Sequence, residues 1–355
     1  PLLDLPLNSN LSMKQGVGSV TFSRATTATY IDRYGVLQYS AIDEPRFEKD
    51  GLLIEGASTN LHTYSNDFTN ANWTKYPSVV LTPNYGTSPD GTQNSYRLQC
   101  DAFEGLYQTL TTTSSNTLSV WVKGVAGTEL RLSPSVSPNV SVYISLTNVW
   151  ERLQVSTDTV GTTSNFISAG SLPIDVEIAF SQLEQLPFAS SYIPTTTSAV
   201  TRSADVCSVT ARDNMQQLDN EYSICLDLKL LSDVNNSYNT FFGAYTIGNS
   251  AYDFSIFISP DSYLYFDGGD NNPSYPYLQG DSIKLAVVNN GVDTIMYVNG
   301  VQVSSVQTSV QSSIDFSKDI GIGIRYEEPF TNRKNYLKNL KIFDKALTPT
   351  EVALA

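Results

Sequence analysis

Short runs in which apolar and polar residues alternate, each closed by Gly, Pro, Asn, Asp or Ser, constrain this chain more than any other feature. In "LSVWVKG", Leu118, Val120 and Val122 fall on one side, and Ser119, Trp121 and Lys123 on the other. "SVYISL" sorts Val142, Ile144 and Leu146 against Tyr143 and Ser145. "IDVEIAF" sorts Ile174, Val176, Ile178 and Phe180 against Asp175, Glu177 and Ala179. "SYRLQC" and "ELRLS" place Tyr96, Leu98, Cys100, Leu130 and Leu132 inward and Arg97, Gln99 and Arg131 outward. Later, Ile224, Leu226, Leu228 and Leu230 alternate, as do Phe254, Ile256 and Ile258, and Ile283, Leu285 and Val287. A period of two is that of a strand with one face buried. Many such strands at short spacing form sandwiches or barrels.

The turns agree. "YVNGVQV" (297–303) reads as a hairpin, because Asn299 and Gly300 tolerate the positive φ that a type I′ turn requires at both central positions. Helix is scarce. "KALTPTEVALA" carries a capping box, with Thr348 as N-cap, Pro349 at the first helical position and Glu351 three residues after the cap. "DNMQQLD" (213–219) suggests one more helical turn. The expected fold is all-β: two antiparallel β-sandwich (jelly-roll) domains, an N-terminal β arm and a short C-terminal helix.

A chain of 355 residues exceeds one ordinary domain. Three regions separate: an arm at 1–56, too short for a core of its own, a strand-rich block at 57–206 and a second at 207–355. The Thr/Ser-rich "SSYIPTTTSAVTRSADV" reads as an extended connector. "TFSRATTATYID" around Arg24 echoes "AVTRSADVC" around Arg202. The arm packs on a neighbouring domain. Its apolar "PLLDLPLNS" also allows it to complete the last sandwich, which makes the middle block an insertion.

Charge and composition exclude several classes. The net charge is −14, so clustered Lys and Arg for nucleic acid or an anionic membrane are lacking. No apolar run reaches the ~18 residues of a spanning helix, and the start lacks the layout of a signal peptide. Cys100, Cys207 and Cys225, odd in number and sparse, do not make a disulfide framework and read as small buried residues. The single histidine, His62, has no GxSxG beside it, which leaves nucleophilic hydrolysis without a base. Carboxylate pairs such as Asp175/Glu177 and Glu327/Glu328 keep a glycosidase among the alternatives, with solvated charge as the competing reading. "SPDGTQNS" and "FDGGDNNPS" gather oxygen ligands of the kind calcium takes, with Asp90, Asp267, Asp270 and Asn271 as candidates. Neither matches an EF-hand loop, so the calcium signal is weak and ordinary turn chemistry is the stronger explanation of each.

What remains is a set of outward rings and planar polar groups: Trp73, Arg97, Trp121, Lys123, Arg131, Tyr143 and Glu177, with Tyr275 and Tyr277 around Pro276 as a second patch. A sugar presents C–H faces to aromatic plates and hydroxyls to Arg, Lys, Glu and Asn. These residues are the candidate glycan contacts. For Trp121 the competing reading is burial under the arm or the other domain.

The ordered strings "FSRATTATYIDRYGVLQ", "PRFEKDGLLIEGASTNL", "SPDGTQNSYRL", "LSVWVKG" and "QLEQLPFASSYIPTTTSAVTRSADV" resemble tailed-bacteriophage tail-fibre and other virion structural proteins. That resemblance implies a carbohydrate-binding-module-like jelly roll at 57–206. "IKLAVVNNGVDTIMYVNGVQV" and "YLKNLKIFDKALTPTEVALA" are similar to concanavalin A-like (laminin-G-like) lectin domains, which implies such a domain at 207–355. Neither supplies a catalytic set. Together they imply a non-catalytic tail component of a virion, made in the host cytoplasm, that attaches to the host through bacterial surface polysaccharide or lipopolysaccharide. Other virion subunits, and further copies in a homo-oligomer, are the protein partners this implies. The alternatives are a structural virion protein whose modules make subunit contacts, and a polysaccharide-degrading enzyme.

Overall fold

The computed structural model of the chain describes residues 1–136, 139–210, 221–231, 239–244, 254–267, 272–307, 319–323 and 334–355. The fold is all-β, with antiparallel sheets and a six-residue helix at Pro349–Leu354. The chain forms two compact units. The first comprises Pro1–Thr26, Ser40–Gly56 and Ser203–Ala355, and the second comprises Thr27–Tyr39 and Ala57–Arg202. Residues 1–56 are therefore divided between the two. "DNMQQLD" and Glu327/Glu328 lie outside the described residues.

In the first unit, the described residues form two large sheets. One runs in the order Val301–Gln307, Asp293–Val298, Ser282–Asn290, Glu221–Leu230, Lys334–Phe343, Gly51–Glu55, Arg46–Glu48, with Leu3–Leu5 also paired to Lys334–Phe343. The other runs Val20–Ser23, Val206–Thr210, Asp319–Ile322, Asn239–Ala244, Phe254–Ile258, Tyr263–Asp267, Ser274–Pro276. The inward residues of both meet in one core: Ile224, Leu226, Leu228, Ile283, Leu285 and Val287 from the first sheet, and Phe242, Ile256, Ile258 and Ile320 from the second. Leu3, Leu5, Leu52 and Ile54 belong to that core, so residues from both ends of 1–56 take part in this sandwich. Asn299 and Gly300 both have positive φ and close the two-residue hairpin in the expected register. The Pro349–Leu354 helix has the capping box that its sequence announces: the Thr348 side chain accepts from the Glu351 N–H, and the Glu351 carboxylate accepts from the Thr348 N–H.

A buried ionic cluster sits inside this unit. Asp205 accepts from Arg24 at 3.2 Å and from Arg46 at 2.5 Å, and Arg46 also donates to Glu55 at 2.7 Å. All four side chains are fully buried. Burial alone would lower the Arg46 pKa, but Asp205 and Glu55 outweigh it and hold the guanidinium charged. In sequence, each member lies close to a point where the chain leaves or re-enters the unit.

The second unit is a sandwich of two five-stranded sheets. The front sheet runs Glu151–Thr157, Asn116–Gly124, Ile174–Glu184, Tyr96–Cys100, Val80–Thr82. The back sheet runs Asn139–Ser145, Glu129–Val136, Gly161–Ala169, Gly105–Thr112, Thr74–Lys75. Leu98, Leu118, Val120, Val122, Ile174, Val176 and Ile178 meet Leu106, Leu130, Leu132 and Ile167 in its core, as alternation predicts. Two inward assignments need correction. Val142 pairs with inward Leu132 yet is 41% exposed, because its strand is the edge of the back sheet. Phe180 has φ 55° and sits at a bulge, where the register against Asn116–Gly124 slips between Ser119 and Trp121. The bulge turns Phe180 out of this core and into a small cluster with Leu37, Ala179 and Tyr192.

Candidate functional site

The bulge divides the outer face of the front sheet. On one side of it, Thr117, Ser119, Gln182 and Glu184 are buried, and Glu184 accepts from Ser58 and from the Ser190 backbone. On the other side the face is open. There Lys123, Glu177 and Arg97 lie in register on three neighbouring strands. Lys123 pairs with Glu177 at 2.6 Å. Arg97 forms a fork on Asp175, with Nε at 2.7 Å and Nη2 at 2.5 Å, and Gln99 adds a third donor to that carboxylate. Arg97 bonding holds the Asp175 carboxyl below its ordinary pKa, against a smaller opposing effect of burial. The same bond raises the Arg97 guanidinium.

Rings stand at both ends of this row. The Arg97 guanidinium lies 5.2 Å from the Tyr85 ring centroid, and Lys123 Nζ lies 5.3 Å from that of Trp150. Tyr85 is 48% exposed, while Trp150 is half-buried, packed with Trp121 on the cluster of Leu37, Ala179, Phe180 and Tyr192 and anchored by its indole N–H on the Thr87 carbonyl at 2.9 Å. The loop between them passes close over Glu177. Ser95 donates to Glu177 at 2.7 Å, and a Cβ on Gly86 would sit 2.3 Å from the same carboxylate oxygen. A side chain at position 86 would make the Glu177 carboxylate shift.

The structure brings together Arg97, Lys123 and Glu177 from the expected set, and disperses the others. Trp121 is half-buried beside them, packed on the cluster of Leu37, Ala179, Phe180 and Tyr192, so the segment 27–39 covers it. Arg131 and Tyr143 are cross-strand neighbours on the back sheet, the opposite side of the sandwich. Trp73 is 1% exposed: it is a core residue, edge-on to His62, with its N–H on the Tyr64 carbonyl. Tyr277, also 1% exposed, is another core residue whose hydroxyl accepts from the Leu230 N–H and donates to the Asp281 carbonyl. Tyr275 pairs with inward Leu264 and packs on the first core. The rings that do share the outer face there are Phe257, Tyr265 and Tyr263, with the first two stacked at 5.5 Å. Tyr85 carries little signal in the sequence: an aromatic beside Gly86 in a turn-rich loop.

No trio of His, Cys, Asp or Glu that could hold a metal occurs among the described residues. Asp90 accepts from Ser88, from Asn94 and from the Thr92 backbone and hydroxyl, which is the chemistry of a turn. Burial works to raise its carboxyl, but these bonds outweigh it and leave it lowered. Asp267 is half-buried on its strand, and Asp270 and Asn271 lie outside the described residues. His62 is buried, held by Ser181 at 2.9 Å, and burial lowers its pKa to about 3, so it is neutral at any working pH.

Residues 202–353 match the family model Laminin_G_3, the concanavalin A-like lectin/glucanases superfamily. No curated protein sequence matches the chain. Similar solved structures include the receptor binding domain of a botulinum neurotoxin C/D mosaic serotype, at 15% identity and TM-score 0.35, covering 42% of this chain and 39% of that one. The binding domain of botulinum neurotoxin serotype D follows at 18% and 0.36, with the same coverage. The binding domain of botulinum neurotoxin DC in complex with SialylT stands at 17% and 0.35, again covering 42% and 39%. The match thus spans about two fifths of each of these chains. The C-terminal part of this chain is similar in sequence to concanavalin A-like lectin/glucanase domains.

Proposed function

We propose that this chain is a non-catalytic glycan-binding component of a phage tail, and that the open half of the front sheet is one of its contact faces. The observation that carries the reading is the row of paired, planar polar groups between the Tyr85 and Trp150 rings. The Arg97–Asp175 pair is partly exposed, and such pairs add little to stability, so fold maintenance is a weak explanation for its forked, pre-oriented arrangement. Sugar hydroxyls can take up the unused lone pairs and N–H groups of such pairs, while rings at either end cover C–H patches. The lectin-type family match at 202–353 supports glycan recognition by the other unit. The tail assignment, with bacterial surface polysaccharide or lipopolysaccharide as ligand and other virion subunits as partners, is supported by the ordered strings quoted above from the first 206 residues.

The test is a glycan array of bacterial polysaccharides probed with the full chain, beside Arg97→Ala and Trp150→Ala. Binding that falls about tenfold in both variants supports the face, with avidity from multiple copies compensating weak single sites. Binding unchanged in both removes the face from the reading. Release of reducing sugar from the bound polysaccharide would replace it with an enzyme.

A further inference from the structure

A recess of about 480 Å³ lies on the outer face of the eight-stranded sheet in the first unit, within the size range of small-ligand sites. Its floor is built by alternation. Leu226 and Leu228 point into the core, so Asp227 and Lys229 point out, and register places Lys284 and Lys338 directly either side of Asp227. The floor is therefore a Lys–Asp–Lys row across three strands. Lys229 is satisfied by Asp50 at 2.8 Å. Lys284 and Lys338 have no ion pair among the described residues, and Asp227 instead accepts from Asn339 at 2.8 Å. Asn339 is itself an irregularity: its φ is 54°, and the sheet register slips there between Cys225 and Asp227. Bulges re-aim side chains, and this one turns an amide onto the floor of the recess.

The rim combines the Asn299–Gly300 hairpin tip with Val352 and Ala353 of the helix, and a Cβ on Gly300 would stand 3.8 Å from Ala353. Two lysines with no ion pair among the described residues thus line a recess in a chain of net charge −14. Beside them stand hydroxyl-binding groups (Asn339, Asn299, Ser282) and a short apolar wall. The geometry points to a second binding site, for an acidic saccharide whose anionic group is a carboxylate or a phosphate. The charge meets Lys284 and Lys338, the amides and Asp227 take ring hydroxyls, and Val352 and Ala353 cover a C–H face. The site is independent of the front-sheet face.

Calorimetric titration of the full chain with tri-galacturonate, glucose 6-phosphate, maltotriose and inorganic phosphate tests it. One or both anionic sugars should bind, and which one does tells carboxylate from phosphate. Lys284→Gln with Lys338→Gln should weaken that binding about tenfold or more. Lys284→Gln alone, at an exposed position, gives the same direction if the double variant melts early. Asp227→Asn, which keeps hydrogen-bonding capacity and removes a carboxylate that no lysine pairs with among the described residues, should tighten it, and Arg97→Ala should leave it unchanged. Binding of neither anionic sugar overturns the proposal. So does binding indifferent to the lysines, or inorganic phosphate bound as tightly as the sugar.

Discussion

In the second unit, Lys123, Glu177 and Arg97 stand side by side on three strands; in the first, Lys284, Asp227 and Lys338 do the same. The first row is electrically closed, since each cation has its own carboxylate, with Asp175 completing the set. It lies on an open face between two rings. The second row is open: one carboxylate between two cations, turned toward an amide and set in a recess. The same strand pairing therefore yields a charge-balanced plate in one unit and a charge-selective recess in the other. Alternation decides which residues reach the surface. Their neighbours across the sheet decide what kind of surface it becomes.

Several measurements would break or sharpen that contrast. The largest effect is expected where charge has no water at all. Asp205→Ala leaves Arg24 and Arg46 short of a buried partner and should cost about 3–5 kcal/mol in denaturant unfolding of the first unit. A loss as small as that of a surface pair would mean that the buried cluster is not a single ionic unit. Next, Arg97→Ala should lower polysaccharide binding about tenfold while leaving the unfolding midpoint essentially unchanged. A large stability loss would turn the plate into a structural feature.

Salt separates the two rows more gently. Raising ionic strength from about 0.05 to 0.3 M should weaken anionic-sugar binding at the recess several-fold and leave the plate nearly unaffected. Equal salt slopes would erase the distinction. Acid gives a smaller effect. The folded Asp175 pKa is depressed, so its pairing with Arg97 is fully present above the ordinary aspartate value and is lost only as pH falls through the lower folded value. Binding at the plate should therefore be level between pH 7 and 5; a drop in that window would assign control to another group. The smallest effect concerns calcium. With the Asp90 carboxylate occupied within its own turn, Asp90→Asn should leave the calcium dependence of the melting temperature unchanged within about 1 °C.

Much of the fold was legible because it depends on local periodicity. Leu118, Val120 and Val122, or Ile224, Leu226 and Leu228, reveal their faces through spacing alone. The Asn299–Gly300 turn and the Thr348–Glu351 cap are legible for the same reason: each is completed within a few residues. The candidate face was legible in part, through Arg97, Lys123 and Glu177. What escaped depends on distant chain. Nothing near Phe180 announces that its φ will be positive, yet that residue sets which half of the front face is covered. Trp73 sits among polar loop residues, and only its packing on His62 and Phe68 makes it core. Tyr277 looked like a loop ring until the Leu230 N–H and the Asp281 carbonyl claimed its hydroxyl.

The pairing of Leu3–Leu5 with Leu340–Ile342 bears on biosynthesis. At about 5–20 residues per second, Leu5 emerges roughly 20 s to a minute before its strand partner has been translated. Through that interval the apolar Leu3–Leu5 segment waits for its strand partner, and for the first part of it Arg24, Arg46 and Glu55 also wait for Asp205. The inserted residues have time to condense first, and the outer sandwich closes last. Holdase chaperones would find their substrate in this early segment, and slowing translation late in the message would lengthen its exposure.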